Sequence, residues 1–477
     1  MKKLNMEKSS ISTEIKIIIK NFFHLAFGEL ASKAFGFFTT IYIARSVGTE
    51  RFGELSFLAV VYSYFSLFAN PSLDMIAVRE LAKGEYEENS IVSTMFILRF
   101  VLSLASAIIF LIIGITVFNS QLPLMIVLFQ AINFFLIPLS LEFYFRGKED
   151  MKWIAVMKTL SSVILLLLTL IVITSQDDYI FLPLLYAVST LAGTMLLFVK
   201  GFRKHSKFSF TFHFPLCKWM LQESLPLGIS SFAVLIYYNI DTVFIWKFLN
   251  PAEVGLYTAA YKIFFVFSIL NVFMSALLPS LSKAWRERKD DFYAQLFTVS
   301  KYVYVVAAFL VALSFYSRYI IENIFGHEYL DAQLVLRILL ITQAVIWFFA
   351  PFGHPLIAMN RQNILLKVSL FGATINVCLN LIFIPALGIN GAALATLATE
   401  ITVGILLFGY FYSKRNVLSF KLKFIPKESI VFLLCNIIFG ELFSIIIQYS
   451  LLSIISIIVV NIVLMKYYKY FNIYQYA

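Results

Sequence analysis

Charge is scarce in this chain. Asp, Glu, Lys and Arg make up 14% of its 477 residues, where soluble domains carry about 25%. No stretch is polar enough to hold a folded soluble domain, which excludes a soluble enzyme on a membrane anchor. Cysteine is scarcer still: Cys217, Cys378 and Cys435 are too few and too scattered for a secreted disulfide scaffold. Catalytic signatures are missing, with no GxxxxGK[ST], no HExxH and no paired-cysteine motif. The five histidines (His24, His205, His213, His327, His354) are dispersed without metal-ligand spacing. The strict two-residue alternation of an outer-membrane barrel strand is absent too.

What is present is apolar bulk. Hydrophobic residues reach 60%, Phe occurs 51 times, and the mean hydropathy is +0.86. The apolar runs are continuous and about 20 residues long, the length of a spanning helix. The expected fold is therefore an all-α polytopic membrane protein with about 14 transmembrane helices. The spans read as 22–44, 54–74, 91–118, 122–145, 154–174, 179–200, 224–247, 255–280, 296–316, 332–358, 363–386, 391–412, 429–448 and 451–467.

Basic residues set the orientation. With the N-terminus in the cytoplasm, the inside segments hold 27 of the 38 Lys and Arg, and the outer loops hold only Arg45, Arg51, Lys247 and Arg318. Both termini are expected in the cytoplasm. The net charge of +11 is spread over many loops, so it is a topology signal and not a nucleic-acid footprint. No small-residue cleavage site follows a short apolar core near the N-terminus. Residues 4–20 are expected to form an interfacial helix or a disordered tail.

The chain repeats internally. Aligning Gly53 with Gly255 brings Arg45 onto Lys247 and Thr39-Thr40 onto Asp241-Thr242. Pro138, nine residues before Gly147-Lys148, and Pro351, nine before Asn360-Arg361, mark the end of the fourth span of each half. The expected organisation is a tail (1–21), a six-helix lobe (22–200), a linker (201–223), a second six-helix lobe (224–412), a linker (413–428) and two extra helices with a tail (429–477). Two pseudo-symmetric lobes with a cavity between them are a common transporter design.

The run Ala44-Arg45-Ser46-Val47-Gly48-Thr49-Glu50-Arg51-Phe52-Gly53 resembles the first outer loop of Wzx-type polysaccharide flippases. So do Leu225-Pro226-Leu227-Gly228, Asn239-Ile240-Asp241-Thr242, the run Val254 to Lys262, Asn376 to Pro385, and Gly391-Ala392-Ala393. The resemblance covers the whole chain in order. It reaches the superfamily of lipid II flippases and multidrug extruders. It implies alternating access, in a bacterial inner membrane, acting on a polyprenyl-pyrophosphate-linked oligosaccharide for surface polysaccharide such as O-antigen. It implies no enzyme activity, membrane lipids as partners, a polymerase of the same glycan pathway as a further partner, and a lipid-tail groove at the last two helices.

Ionisable residues deep in a span cost about 2.5–3.5 kcal/mol each. Lys158, Lys301, Lys367 and Arg337 lie near span ends, where long stems reach the interface, and Glu142 and Asp74 are expected to be wet. Deeper lie Glu29, Lys33, Arg99, Asp241, Lys262, Glu400 and Glu441. Lys33, Arg99 and Lys262 are candidates to neutralise a pyrophosphate. Lys33 and Lys262 also lie where lipid II flippases resemble this chain but carry arginine; a further arginine of that family falls on Thr39. Against this, Glu29 and Lys33 are four apart and can pair on one helix face.

A second group suits ion coupling. Asp241, Asn376, Asn380, Thr396 and the Ala392 carbonyl offer five or six oxygens for a hard monovalent cation, Na⁺, with Glu400 as an alternative H⁺ carrier. The spacing resembles the sodium site of lipid II flippases, except that Asn380 stands where an acid is expected. No other cofactor is expected. Tyr237, Tyr238, Tyr257 and Tyr261 are candidates for stacking on sugars. The alternatives are a multidrug/cation antiporter, a lipid II flippase and, from another class, an integral-membrane glycan polymerase or ligase.

Overall fold

The computed structural model describes residues 2–118, 121–204, 213–267 and 271–413. The thirteenth and fourteenth expected spans, with Glu441 and Cys435, lie outside the described residues. The described residues are helical throughout apart from turns, and nine helices among them are long and apolar enough to cross a membrane. The chain forms two compact units, residues 1–236 and residues 237–477.

The first unit starts with α1, Lys2–Ala69. Its apolar part, Phe23–Ala69, has 47 residues. At 1.5 Å per residue that is about 70 Å, twice a hydrocarbon core of about 30 Å. Gly48 divides it, with φ 76° and ψ 175° inside the helix, a conformation open to a residue without Cβ. The first two spans therefore meet at a kink, and the loop expected at 45–53 is helical on both sides of it.

The helices α2 (Leu73–Lys83), α3 (Glu88–Thr116) and α4 (Leu124–Ile132) follow. Next come α5 (Glu142–Gly147), α6 (Met151–Val172) and α7 (Leu182–Lys204). The fourth span, expected as one helix over 122–145, is broken. It passes through a 3₁₀ turn at Asn133–Leu136 before α5. Pro138 has no N–H to continue an α-helix. The Asn133 amide is buried and donates to the Pro183 carbonyl at 3.1 Å. In α3 the polarity is the reverse of a soluble helix. Arg99, Ser103 and Ser106 are buried while Leu104, Ile108 and Ile112 are exposed, as expected where the solvent is hydrocarbon.

The helix α8 (Phe214–Phe248) runs from the first unit into the second. The second unit continues with α9 (Pro251–Phe267), α10 (Asn271–Glu287), α11 (Lys289–Ser314) and α12 (Ser317–Phe325). It ends, among the described residues, with α13 (Gln333–Gly353), α14 (Pro355–Ala358), α15 (Gln362–Leu387) and α16 (Ile389–Ser413). The α8–α9 break at Leu249-Asn250 falls where the repeat register puts Gly48. There the Asn250 side chain accepts from the Glu253 N–H at 3.0 Å, a cap on the first turn of α9.

The second marker of the repeat is a shared backbone turn. After α5, Glu149 has φ 55°; the Glu149 N–H reaches the Arg146 carbonyl at 3.1 Å and the Asp150 N–H the Phe145 carbonyl at 2.9 Å. After α14, Asn360 has φ 55°, and the Asn360 and Arg361 N–H groups reach the Ile357 and Leu356 carbonyls at 3.1 and 2.7 Å. Both are Schellman turns. They pair Glu149 with Asn360, two residues away from the register expected from Gly147-Lys148.

Candidate functional site

In the second unit, four helices converge on Asp241. This carboxylate lies on α8 and is 3% exposed. Its Oδ1 accepts from Asn380 Nδ2 at 2.6 Å. Its Oδ2 accepts from the Tyr257 hydroxyl at 2.7 Å and from Thr396 Oγ1 at 3.2 Å. Asn380 Nδ2 also donates to Asn376 Oδ1 at 3.0 Å, as the four-residue spacing on α15 requires. Thr396 Oγ1 lies 3.1 Å from the Ala392 carbonyl. A buried carboxylate remains charged only with such partners.

The hairpin of α15 and α16 sets this geometry. Asn380 lies eight residues before Gly388 and Thr396 eight after it, so two antiparallel helices carry them at the same level. Gly388 turns the chain at φ 63°. A Cβ on Gly391 would stand 2.1 Å from the Phe383 carbonyl oxygen, so the first turn of α16 can approach α15 only with glycine there.

The sequence expectation that Asp241, Asn376, Asn380, Ala392 and Thr396 form one cluster thus matches their placement. Tyr257 is an addition. Sequence reasoning placed it among sugar-stacking rings, and its only signal was an aromatic residue on the next span. Asn380 Oδ1 is buried and has no hydrogen-bond partner among the described residues. Turning the amide over would bring that oxygen beside Asp241 Oδ1 and Asn376 Oδ1. Three converging oxygens of that kind repel one another unless a cation lies among them. The donor set therefore fits a hard monovalent cation. Glu400 lies outside this cluster, four residues beyond Thr396, and its Oε1 accepts from the Tyr237 hydroxyl. Lys262 is exposed on α9 and makes no ion pair among the described residues.

The first unit treats its charges differently. Arg99 is 1% exposed. Its Nη1 donates to the Ser140 carbonyl at 2.9 Å and its Nη2 pairs with Asp74. Its guanidinium lies 5.0 Å from the Phe143 ring centre. Asp74 also accepts from Asn70 at 2.9 Å; its side chain is 41% exposed, wet as expected, and it is an ion-pair partner as well. Glu29 pairs with Lys158 of α6 and not with Lys33. Lys158 lies 3.6 Å from Glu142 as well, so it is a bridge and not a lone snorkelling side chain. Lys33 is exposed on α1.

One further group escaped sequence reasoning. Glu54 is 4% exposed; it accepts from the Tyr179 hydroxyl at 2.5 Å and from Arg51 at 3.2 Å. Its signal was the three-residue spacing of Arg51 and Glu54, which Tyr179 does not share.

Comparisons with known proteins follow the same lines. The family model described as "Polysaccharide biosynthesis protein" matches residues 18–285. An uncharacterised membrane protein of Methanocaldococcus jannaschii is 22% identical over 419 residues, covering 84% of this chain and 100% of that protein. The probable low-salt glycan biosynthesis flippase Agl15 of Haloferax volcanii is 26% identical over 238 residues, covering 49% of this chain and 50% of that one. Among solved structures, the lipid II flippase MurJ in an inward closed conformation superposes with a TM-score of 0.73 at 17% identity. It covers 93% of this chain and 98% of that one. At that identity the likeness concerns the fold.

Proposed function

The chain belongs to the polysaccharide biosynthesis protein family, and we propose that it is a flippase for polyprenyl-pyrophosphate-linked oligosaccharide repeat units. It moves them by alternating access from the cytoplasmic to the outer leaflet, with its termini in the cytoplasm, in an inner membrane, ahead of a polymerase that consumes them. The two six-helix lobes, 22–200 and 224–412, are the moving bodies in this reading.

The observation that carries the proposal is the division of labour within one unit. A buried carboxylate is held by donors from three other helices, and an exposed lysine stands five residues beyond Tyr257 on α9. Asp241, Asn376, Asn380, Thr396 and Tyr257 hold the coupling cation, Na⁺. Where protons drive transport, Asp241 or Glu400 carries them. Lys262 and Lys33 supply positive charge to the pyrophosphate. Arg99 enters less directly, because its guanidinium is already engaged by Asp74 and Ser140; it holds α3 against α2 and the turn before α5.

The test is glycan export in a host that makes a lipid-linked oligosaccharide but lacks its own flippase. The wild-type chain restores surface glycan. Lys262→Ala, inserted at normal levels, loses it, and Lys262→Arg retains part of it because charge matters more than shape. Full export by Lys262→Ala would sink the assignment of Lys262. Sodium dependence is read separately, as flux with the sodium gradient removed and the voltage held; unchanged flux rules out Na⁺ as the coupling ion.

A further inference from the structure

Beside Lys262, the second unit carries a set of rings, and next to those rings an acid, that the Asp241 cluster leaves unused. Lys262 and Phe265 are three residues apart on α9, and both are exposed. The Phe265 ring lies 6.2 Å from that of Tyr238, which is also exposed. Tyr261 stands edge-on to Phe265 at 5.0 Å, and its hydroxyl reaches the Tyr238 carbonyl at 3.4 Å. Tyr237 packs edge-on to Tyr238 at 5.3 Å and donates its hydroxyl to Glu400 Oε1. That is the one hydrogen bond of Glu400 among the described residues, so Oε2 is open to another donor.

Exposed rings on a spanning helix ordinarily meet lipid. Here an exposed amine stands one turn from Phe265, a carboxylate accepts from the tyrosine next to Tyr238, and each is costly against hydrocarbon. The face therefore suits water or a polar cargo. Its chemistry is also selective. Ring faces cover the C–H surface of a pyranose, and a carboxylate accepts hydroxyl or amide hydrogens as strong charge-assisted bonds. A bare phosphate would be repelled by Glu400, and a lipid tail has no use for it.

We propose that Tyr238, Phe265 and Glu400 form a subsite for the first sugar of the cargo, the one joined to the pyrophosphate, and that this subsite takes a neutral or amino sugar and rejects a uronic acid. The inference rests on the flippase reading, in which Lys262 holds the pyrophosphate; the sugar bonded to it must then lie within one residue's reach of Lys262. The negative charge of Glu400 supplies the discrimination, since a like charge in the same place costs binding.

The experiment is equilibrium binding to the purified full chain in detergent. The probes are farnesyl pyrophosphate, farnesyl-pyrophosphoryl-N-acetylglucosamine and its glucuronic acid counterpart. The N-acetylglucosamine probe binds about tenfold more tightly than farnesyl pyrophosphate, and the glucuronic acid probe gains nothing. Tyr238→Ala and Glu400→Ala each remove the gain and leave the affinity for farnesyl pyrophosphate unchanged, which also reports that they are folded. Tyr238→Phe keeps the gain, because the ring provides it. Glu400→Gln keeps the gain and lets the glucuronic acid probe share it, an outcome that a purely structural carboxylate would not produce. A gain that survives both alanine variants overturns the subsite, as does a glucuronic acid probe that binds the wild type as tightly as N-acetylglucosamine. Failure of the underlying flippase reading looks different: farnesyl pyrophosphate then does not bind, or binds regardless of Lys262→Ala.

Discussion

Thr39 and Asp241 occupy matching places in the two halves of the chain, and both are buried. Thr39 spends its hydroxyl on its own helix, donating to the Phe35 carbonyl at 2.8 Å. Asp241 draws donors from α9, α15 and α16. The same contrast recurs at the paired turns. The Glu149 turn is ringed by charge, with Glu142 paired to Arg146 and Glu88 to Lys148. The Asn360 turn rests on Phe352, Leu356, Met359 and Phe411. A duplicated backbone has kept its kinks and turns while the buried polar chemistry differs between its halves. In the first half, charges tie helices together. In the second, one buried carboxylate is surrounded by neutral donors and makes no ion pair among the described residues.

The largest effect that tests this contrast is on export. Asp241→Asn keeps the shape and removes the charge, and glycan export is expected to fall to background with normal insertion. Asp241→Ala adds a structural cost of about 1–3 kcal/mol, since the buried Tyr257 hydroxyl loses its acceptor while Asn380 and Thr396 keep Asn376 and the Ala392 carbonyl. Thr39→Val, measured side by side, is expected to cost no more than about 1 kcal/mol in thermal unfolding and to leave export nearly intact. Equal loss of export in Thr39→Val and Asp241→Asn would break the comparison.

Stability is where the first half should respond most. Arg99→Ala removes a buried guanidinium and leaves the Ser140 carbonyl without its donor, while Asp74, 41% exposed, can turn to water; it is expected to cost about 1–3 kcal/mol. Lys262→Ala, on an exposed side chain, is expected to change stability by under about 0.5 kcal/mol. Thermal unfolding of both in detergent sharpens the distinction between a structural cation and a functional one. A stable Arg99→Ala that loses export would return Arg99 to the substrate path.

How much of this was legible beforehand follows from which interactions are local. The spans were legible because twenty apolar residues leave few other folds. Within the Asp241 cluster, spacing alone puts Asn376 with Asn380, and Ala392 with Thr396, on shared helix faces, while the meeting of those faces with Asp241 is what the resemblance to lipid II flippases implies. Tyr257 was not legible, since a hydroxyl contact between successive helices depends on their rotation. The pairing of Arg99 with Asp74 and of Lys158 with Glu29 was hidden for the same reason: each joins residues on different helices, and spacing along one helix suggested Lys33 for Glu29. At Gly48 the flanking arginines have the look of loop residues, which hides a kink between two helices. At Pro138 the run is apolar on both sides, which hides the break.

The two turns offer a smaller test. A left-handed conformation costs an ordinary residue about 1–2 kcal/mol, and asparagine tolerates it better than glutamate. Glu149→Gly should therefore stabilise by about 0.5–1 kcal/mol once the entropy of glycine in the unfolded chain is counted, and Asn360→Gly by less. Asn360→Val should destabilise by about 1–2 kcal/mol, as a branched side chain is forced to positive φ. Thermal unfolding orders the three. If Asn360→Gly gained more than Glu149→Gly, the two turns would not be the equivalent positions that the repeat makes them.

The smallest effect concerns Glu80, on α2 outside the spanning helices. Burial pushes its carboxyl up, but hydrogen bonds from Arg79 and Lys83 outweigh this and hold it below the usual carboxylate range. A carboxyl depressed in the folded state contributes stability that is present above its unfolded value of about 4.3. That contribution is lost as pH falls through the lower folded value. Both cationic partners are exposed, at 42% and 44% of their side chains, so salt screens much of the gain. Glu80→Gln should accordingly flatten the fall in stability below about pH 4.3 and leave export at neutral pH unchanged. Set beside Asp241→Asn, for which loss of export at neutral pH is expected, it tests whether the two buried carboxylates differ in role, one fastening the first unit and the other proposed to act in transport. An acid limb as steep in Glu80→Gln as in the wild type would show that Glu80 does not shape it.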